Sequence, residues 1–155
     1  ELIFVIVILG ILAAVAIPKL AATRDDAKNS ALKADINTAL SAVPATYTGT
    51  KIASFLEAMS LDTAKWDITT DSSLGTNCIA IFTDDASDTV TMSIYNDANS
   101  SVTGGCAAGT TTTDSNLSLS VVFDNTNTGS TVDALVTNMG MTNTTVKLGG
   151  NKVVY

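Results

Sequence analysis

The sequence contains no histidine. The commonest general base and the commonest metal ligand are therefore missing. A nucleophile would have only lysines or carboxylates to activate it, and none of these is grouped in a recognisable way. The expectation is a chain with no catalytic residues, no cofactor and no metal. Aromatic residues make up 5% of the 155 residues, and Phe4 is the only one among the first 43. A stacked aromatic path for electrons along the N-terminal segment is thus poorly supported. Basic residues are also few: 8 against 15 acidic ones, a net charge of −7. The basic residues are scattered, whereas phosphate contacts need clustered Lys and Arg, so direct nucleic-acid binding is not expected. The surface reads as solvated and self-repelling.

Cysteine is scarce as well. Cys78 and Cys106 are too few for a zinc site and too far apart for a CxxC redox motif. A c-type haem attachment would need CxxCH. Both lie in the polar part of the chain, behind a segment of export type. That combination suggests one disulfide in an oxidising compartment; two free thiols in a cytosolic protein are the alternative.

What the chain has in excess is apolar residues, 46%, and they are unevenly spread. Leu2 to Ile17 is an unbroken apolar run with one glycine, apolar all round as in a membrane span or a buried helix. Sixteen residues cover about 24 Å at the helical rise, short of a hydrocarbon core of roughly 30 Å. A few residues ahead of Glu1 would complete a span. Beyond Pro18 the pattern turns amphipathic. Leu32, Ile36, Leu40 and Val43 form one stripe, with Arg24, Asp25, Lys28, Asn29, Lys33 and Asp35 on other faces. Residues 1 to about 43 therefore read as one helix, ended by Pro44, with Tyr47-Thr48-Gly49 as a loop.

The remainder is rich in Thr, Ser, Asn and Asp. A weaker helical signal (Ile52, Phe55, Leu56, Met59) occupies Thr50 to Trp66. Strands are expected at Ile79–Phe82, Thr89–Tyr95 and Leu117–Phe123, with a turn over Asp84–Asp88 between the first two. A short helix is expected within Thr131–Met139, and a last strand at Lys152–Tyr155 after the turn Gly149-Gly150-Asn151. Gly104 to Ser115 reads as an exposed loop.

The segment Glu1-Leu-Ile-Phe-Val-Ile-Val-Ile-Leu-Gly-Ile-Leu-Ala-Ala-Val-Ala-Ile-Pro18 closely resembles the N-terminal segment of type IV pilins and pseudopilins. An acid opening an apolar run, a central glycine and Ala-Ile-Pro make up the likeness. It covers about the first 24 residues; the rest resembles nothing we can name. Family members carry a few residues, usually beginning with Phe, ahead of the conserved acid, whereas Glu1 comes first here. The resemblance implies a prepilin held in the bacterial inner membrane and cleaved on its cytoplasmic side by prepilin peptidase. The subunit would carry an N-methylated terminus. Assembly machinery would then extract it into a helical homopolymer, an extracellular pilus or a periplasmic pseudopilus.

The resemblance also implies residue roles. Glu1 would pair with the terminal ammonium of a neighbouring subunit and set the axial register. Gly10 and Pro18 would bracket a stretch that unwinds on assembly. Physical cost points the same way: proline inside a helix costs about 3 kcal/mol, glycine about 1 kcal/mol against alanine. A simple kink at Pro18, tolerated in membrane helices, is the plainer alternative.

Two further motifs are local. Asp97-Ala-Asn99-Ser-Ser101 and Asp114-Ser-Asn116-Leu-Ser118 each place an acid two residues before an Asn-x-Ser, similar to the acceptors of bacterial N-glycosylation. Asn99 and Asn116 are the candidate acceptors; unmodified asparagines are the simpler reading. Asp84, Asp85 and Asp88 form an acidic cluster. Asp124-Asn-Thr-Asn-Thr-Gly129 has some of the oxygen donors of a calcium loop but lacks its acidic spacing and terminal Glu. Solvated turns are expected at both, a distinction that matters because major pseudopilins often carry a calcium loop near the C-terminus.

The expected fold is α+β: a long N-terminal helix packed on an antiparallel sheet of about four strands. Residues 1–24 would form the membrane and filament-core part, 25–44 the amphipathic half of the same helix, and 45–155 the globular head. The expected function is structural: a major pilin supporting adhesion, motility or DNA uptake. A major pseudopilin of a type II secretion or competence system is one alternative. A membrane-anchored monomeric binding module is another.

Overall fold

The computed structural model describes residues 2–68, 78–98, 102–103, 106 and 109–149. Helix α1 runs unbroken over Leu2–Thr50, 49 residues, with Pro18 and Pro44 inside it. The expected end at Pro44 is therefore a correction. The apolar stripe continues past the proline: Leu32, Ile36, Ala39, Val43 and Tyr47 are all buried, at spacings of four and three. Ala39 takes the central place, and Leu40 is only partly buried against the core. Tyr47, expected in a loop, has no exposed surface, and its hydroxyl donates to the Asp114 carbonyl. Burying a large aromatic side chain is worth several kcal/mol, comparable with the local cost of Pro44. Packing thus carries the helix one further turn. Thr48 and Thr50 bond back to the Pro44 and Thr46 carbonyls at 2.7 and 2.8 Å. The left-handed residue that ends the helix is Lys51, at φ 61°, not Gly49.

After the single turn α2 (Phe55–Ala58), the chain builds a sheet. Its strands are β1 (Trp66–Asp67), β2 (Ile79–Thr83), β3 (Thr89–Asn96), β4 (Leu117–Asp124) and β5 (Thr144–Lys147), with helix α3 (Thr131–Thr137) before the last. The order is sequential and each neighbouring pair antiparallel. Strand β3 alternates strictly, so Val90, Met92 and Ile94 face inward opposite Phe123, Val121 and Leu119 of β4. These side chains, α3 and the second half of α1 share one core. The fold is the expected α+β arrangement with five strands among the described residues.

Two of those strands were not expected. The two-residue β1 exists because Trp66 pairs with Phe82, their rings 5.9 Å apart, and because its indole N–H reaches Asp35 of α1 at 3.3 Å. β5 carries one inward apolar residue, Val146 opposite Leu119, too faint an alternation to read. The expected strand at Lys152–Tyr155 lies outside the described residues, as do Gly104, Gly150 and Asn151. Gly149 is described: a Cβ there would lie 2.8 Å from the Ser115 carbonyl oxygen, so the close approach of these two backbones requires glycine.

Cys78 and Cys106 are joined in a disulfide, with Cα atoms 5.1 Å apart, 28 residues apart in the chain, and both are fully buried. It ties the start of β2 to the loop before β4. Closing a loop of this size stabilises by roughly 3–4 kcal/mol in the chain-entropy model. Replacing both cysteines by alanine should lower the unfolding free energy by about that amount in urea titrations. The native unreduced protein should offer no alkylatable thiol.

Candidate assembly interface

Among the described residues, no side chain from Leu2 to Leu20 is buried against another part of the chain. Every large apolar side chain from Leu2 to Leu20 is between 41% and 77% exposed, which is the exposure of a helix standing alone. By length and composition this helix is long and apolar enough to cross a membrane. A contiguous apolar surface of this extent is not left to water in monomeric soluble proteins. Fully burying one such side chain is worth about 1.5–3 kcal/mol, so a strong tendency to be covered is built into this segment. Lipid can cover it, and so can copies of the same helix.

Gly10 and Pro18 both lie on this exposed stretch, and the helix runs through both. A Cβ added at Gly10 would meet nothing within 4 Å, so its small size answers no contact among the described residues. Pro18 has no hydrogen to donate; the nearest side-chain support is one turn on, where Thr23 bonds back to the Lys19 and Leu20 carbonyls. Glu1 lies outside the described residues.

Packing against the head begins at Asn29. Two acidic motifs read separately from the sequence meet beside it. Asp88, only 1% exposed, accepts from the Thr126 N–H at 3.1 Å and hydroxyl at 3.0 Å. It also accepts from the Asn127 side-chain amide at 2.7 Å and the Ser130 hydroxyl at 2.7 Å. The neighbouring Asp84 accepts from the N–H groups of Ala86 and Asp88 within its own turn, and from Val132 of α3 at 3.1 Å. The Ser130 hydroxyl in turn caps α3 by accepting from Asp133 N–H at 2.9 Å. The β2–β3 turn is thereby bolted to the β4–α3 loop. Asp88, expected on a solvated turn, is instead a buried acceptor, and the Asp124–Gly129 segment supplies donors to it. Nothing in sequence spacing joins residues about forty apart; the one local signal was Ser130 three residues before Asp133, a helix-start pattern. Among the described residues no three His, Cys, Asp or Glu side chains are grouped to hold a metal ion.

A second junction fixes the far end of α1. The Asp114 carboxylate accepts from the Thr103 N–H and hydroxyl at 2.7 and 2.8 Å. Burial pushes this carboxyl up, but hydrogen bonds led by Thr103 outweigh it and hold it below its ordinary value. Burial, and then the Asp114 charge, push the Tyr47 phenol up. The Lys51 ammonium lies 4.8 Å from the Tyr47 ring centroid, a cation–π contact.

Of the two glycan motifs, the one at Asp114–Ser118 leads into the start of β4. Asn99 lies outside the described residues. Asn116 is exposed, and its carbonyl accepts from Asp97 N–H at 3.0 Å. The hydroxyl of its partner Ser118, however, is fully buried and donates to Asp97 at 2.8 Å. The motif's acid, Asp114, is equally engaged. An enzyme that reads both groups would need this stretch unfolded.

For Asp88 the pH dependence follows from its partners. Burial pushes its carboxyl up, yet the bonds from Ser130, Asn127 and Thr126 win and hold it at about 2, below the ordinary 3.8. Its contribution to stability is full above about pH 4 and is lost as pH falls through about 2. Asp88→Asn should unfold more easily at neutral pH, and its stability should fall less between pH 4 and 2 than that of the parent chain. Thermal unfolding across that range measures both.

No protein-family model, curated protein or solved structure matches the chain.

Proposed function

We propose that the chain is a structural, non-enzymatic filament subunit of the type IV pilin kind. The observation that supports this most is the exposed apolar surface from Leu2 to Leu20 on a helix whose second half is fixed in a folded head. Before assembly the segment lies in the bacterial inner membrane, after processing by prepilin peptidase. Assembly machinery then transfers it from lipid to the company of other copies, and the heads, residues 45–155, are displayed outward. The polymer is an extracellular pilus, and adhesion, motility or DNA uptake belong to the polymer. No direct contact with nucleic acid and no cofactor is assigned.

Assembly exchanges one apolar surrounding for another, so an added electrostatic term gives it direction. A carboxylate at membrane depth costs about 3 kcal/mol on insertion scales. Glu1 beside the terminal ammonium of a neighbour relieves that cost, in surroundings where unlike charges attract strongly. The interval from Gly10 to Pro18, the weakest part of the helix by residue type, unwinds in the polymer while contacts from neighbours replace the lost bonds.

Electron microscopy of material sheared from cells, with mass spectrometry of the fibres, tests this reading. Long fibres made of this chain support it. Short periplasmic polymers with a calcium-dependent fold would assign it to a secretion or competence pseudopilus instead. A monomer kept in the membrane, with no polymer, would make it an anchored binding module.

Glu1→Leu should insert readily but accumulate as membrane-bound subunits with few fibres, and Glu1→Gln should do the same. Normal fibre numbers from Glu1→Leu would leave helix packing alone as the sufficient cause. Pro18→Ala should give fibres that resist stretching more strongly than the parent in single-filament pulling.

A further inference from the structure

Where α1 emerges from the head, it leaves a cleft of about 530 Å³ whose lining includes Asp25, Asp26 and Asn29 of the helix, Asp84 and Asp85 of the β2–β3 turn, and Ser130. Asp25, Asp26 and Asn29 share one helix face, being three and four residues apart. Among the described residues the side chains of Asp25, Asp26 and Asp85 make no hydrogen bond or ion pair, and only Lys28 brings an ammonium to this lining. Asn29 also lines it, only 8% exposed, and its side-chain oxygen has no hydrogen-bond partner among the described residues. A buried acceptor left without a donor costs about 1–3 kcal/mol. Together with the carboxylates it calls for a cationic donor. The carboxylates are not grouped as metal ligands, which favours a spread, multi-donor cation over a metal ion.

The chain contains one such group. Arg24 is its only arginine, is exposed, and makes no ion pair among the described residues. At roughly 100° per residue it points about 150° away from the face that carries Asp25, Asp26 and Asn29. It is not part of its own cleft's lining and is free to reach into another. Guanidinium, with its donors in a planar fork, is suited to interface pairing with carboxylates and carbonyls.

We propose that Arg24 of one copy docks into the Asp25–Asp26–Asn29–Asp85 cleft of a second copy. The contact rests on the polymer reading above and adds a head-level, charge-specific lock to it. Side-by-side helices offset by five residues, about 7.5 Å at the helical rise, place one copy's Arg24 level with the next copy's Asn29. The lock gives the stagger a second reading point, in a region where apolar packing alone would allow sliding.

The test is a charge swap. Arg24→Glu and Asp85→Arg alter exposed side chains without partners, so both variants should keep the parent's thermal unfolding and its disulfide. Each alone should lower the mass of fibres sheared from producing cells by about tenfold or more, and the double variant should restore most of it. Normal fibre yield from Arg24→Glu, or a double variant no better than the singles, overturns the contact while leaving the polymer reading intact. Absence of fibres from the parent chain overturns both. A calcium-dependent gain in fibre yield that Asp85→Arg abolishes and Arg24→Glu leaves untouched would assign the cleft to a metal ion and overturn the contact.

Discussion

One continuous helix has to satisfy two different surroundings, and the rest of the molecule follows from where it passes between them. Up to Leu20 its side chains find no partner among the described residues; from Asn29 onward one face is sealed against the head. The apolar half cannot remain in water, and the amphipathic half cannot leave the sheet without exposing Leu32, Ile36, Val43 and Tyr47. The molecule is therefore a long helical rod with a folded head at one end. In the proposed polymer, the rods supply cohesion and the heads supply the outer surface.

The head is held by more than apolar contact. Its described core side chains are joined at three points by polar or covalent ties. Asp88 binds the β2–β3 turn to the approach to α3. Asp114 gathers Thr103 and, through its carbonyl, the Tyr47 hydroxyl. The disulfide anchors the start of β2. Each tie fastens a turn or loop to another part of the head. All three lie away from the Leu2–Leu20 surface, so the head can stay folded whether that surface meets lipid or other helices.

How much of this was legible in the sequence depended on whether a feature was periodic. The apolar run, the strands around Ala80, Met92 and Leu119, and the short helix at Val132 all announce themselves through spacing. Pro44 reads as a stop because its local penalty is visible, while the burial of Tyr47 that offsets it is a tertiary fact. β1 depends on a Trp66–Phe82 pairing across sixteen residues, and β5 shows one inward apolar side chain. The Asp88 junction joins residues about forty apart, and the cleft at Asn29 exists only because the fold brings the β2–β3 turn beside α1. Motifs close in sequence, such as Asp114 to Ser118, were found easily. Their chemistry was not, because Ser118 is committed to Asp97.

The central claim is that other copies of the same helix cover the apolar half of α1. Placing a photoreactive side chain at Leu12, an exposed position in the middle of that half, and irradiating intact cells tests it directly. The account predicts a ladder of cross-linked species at whole-number multiples of the chain's mass. A single species of one chain's mass, joined only to lipid, would contradict it.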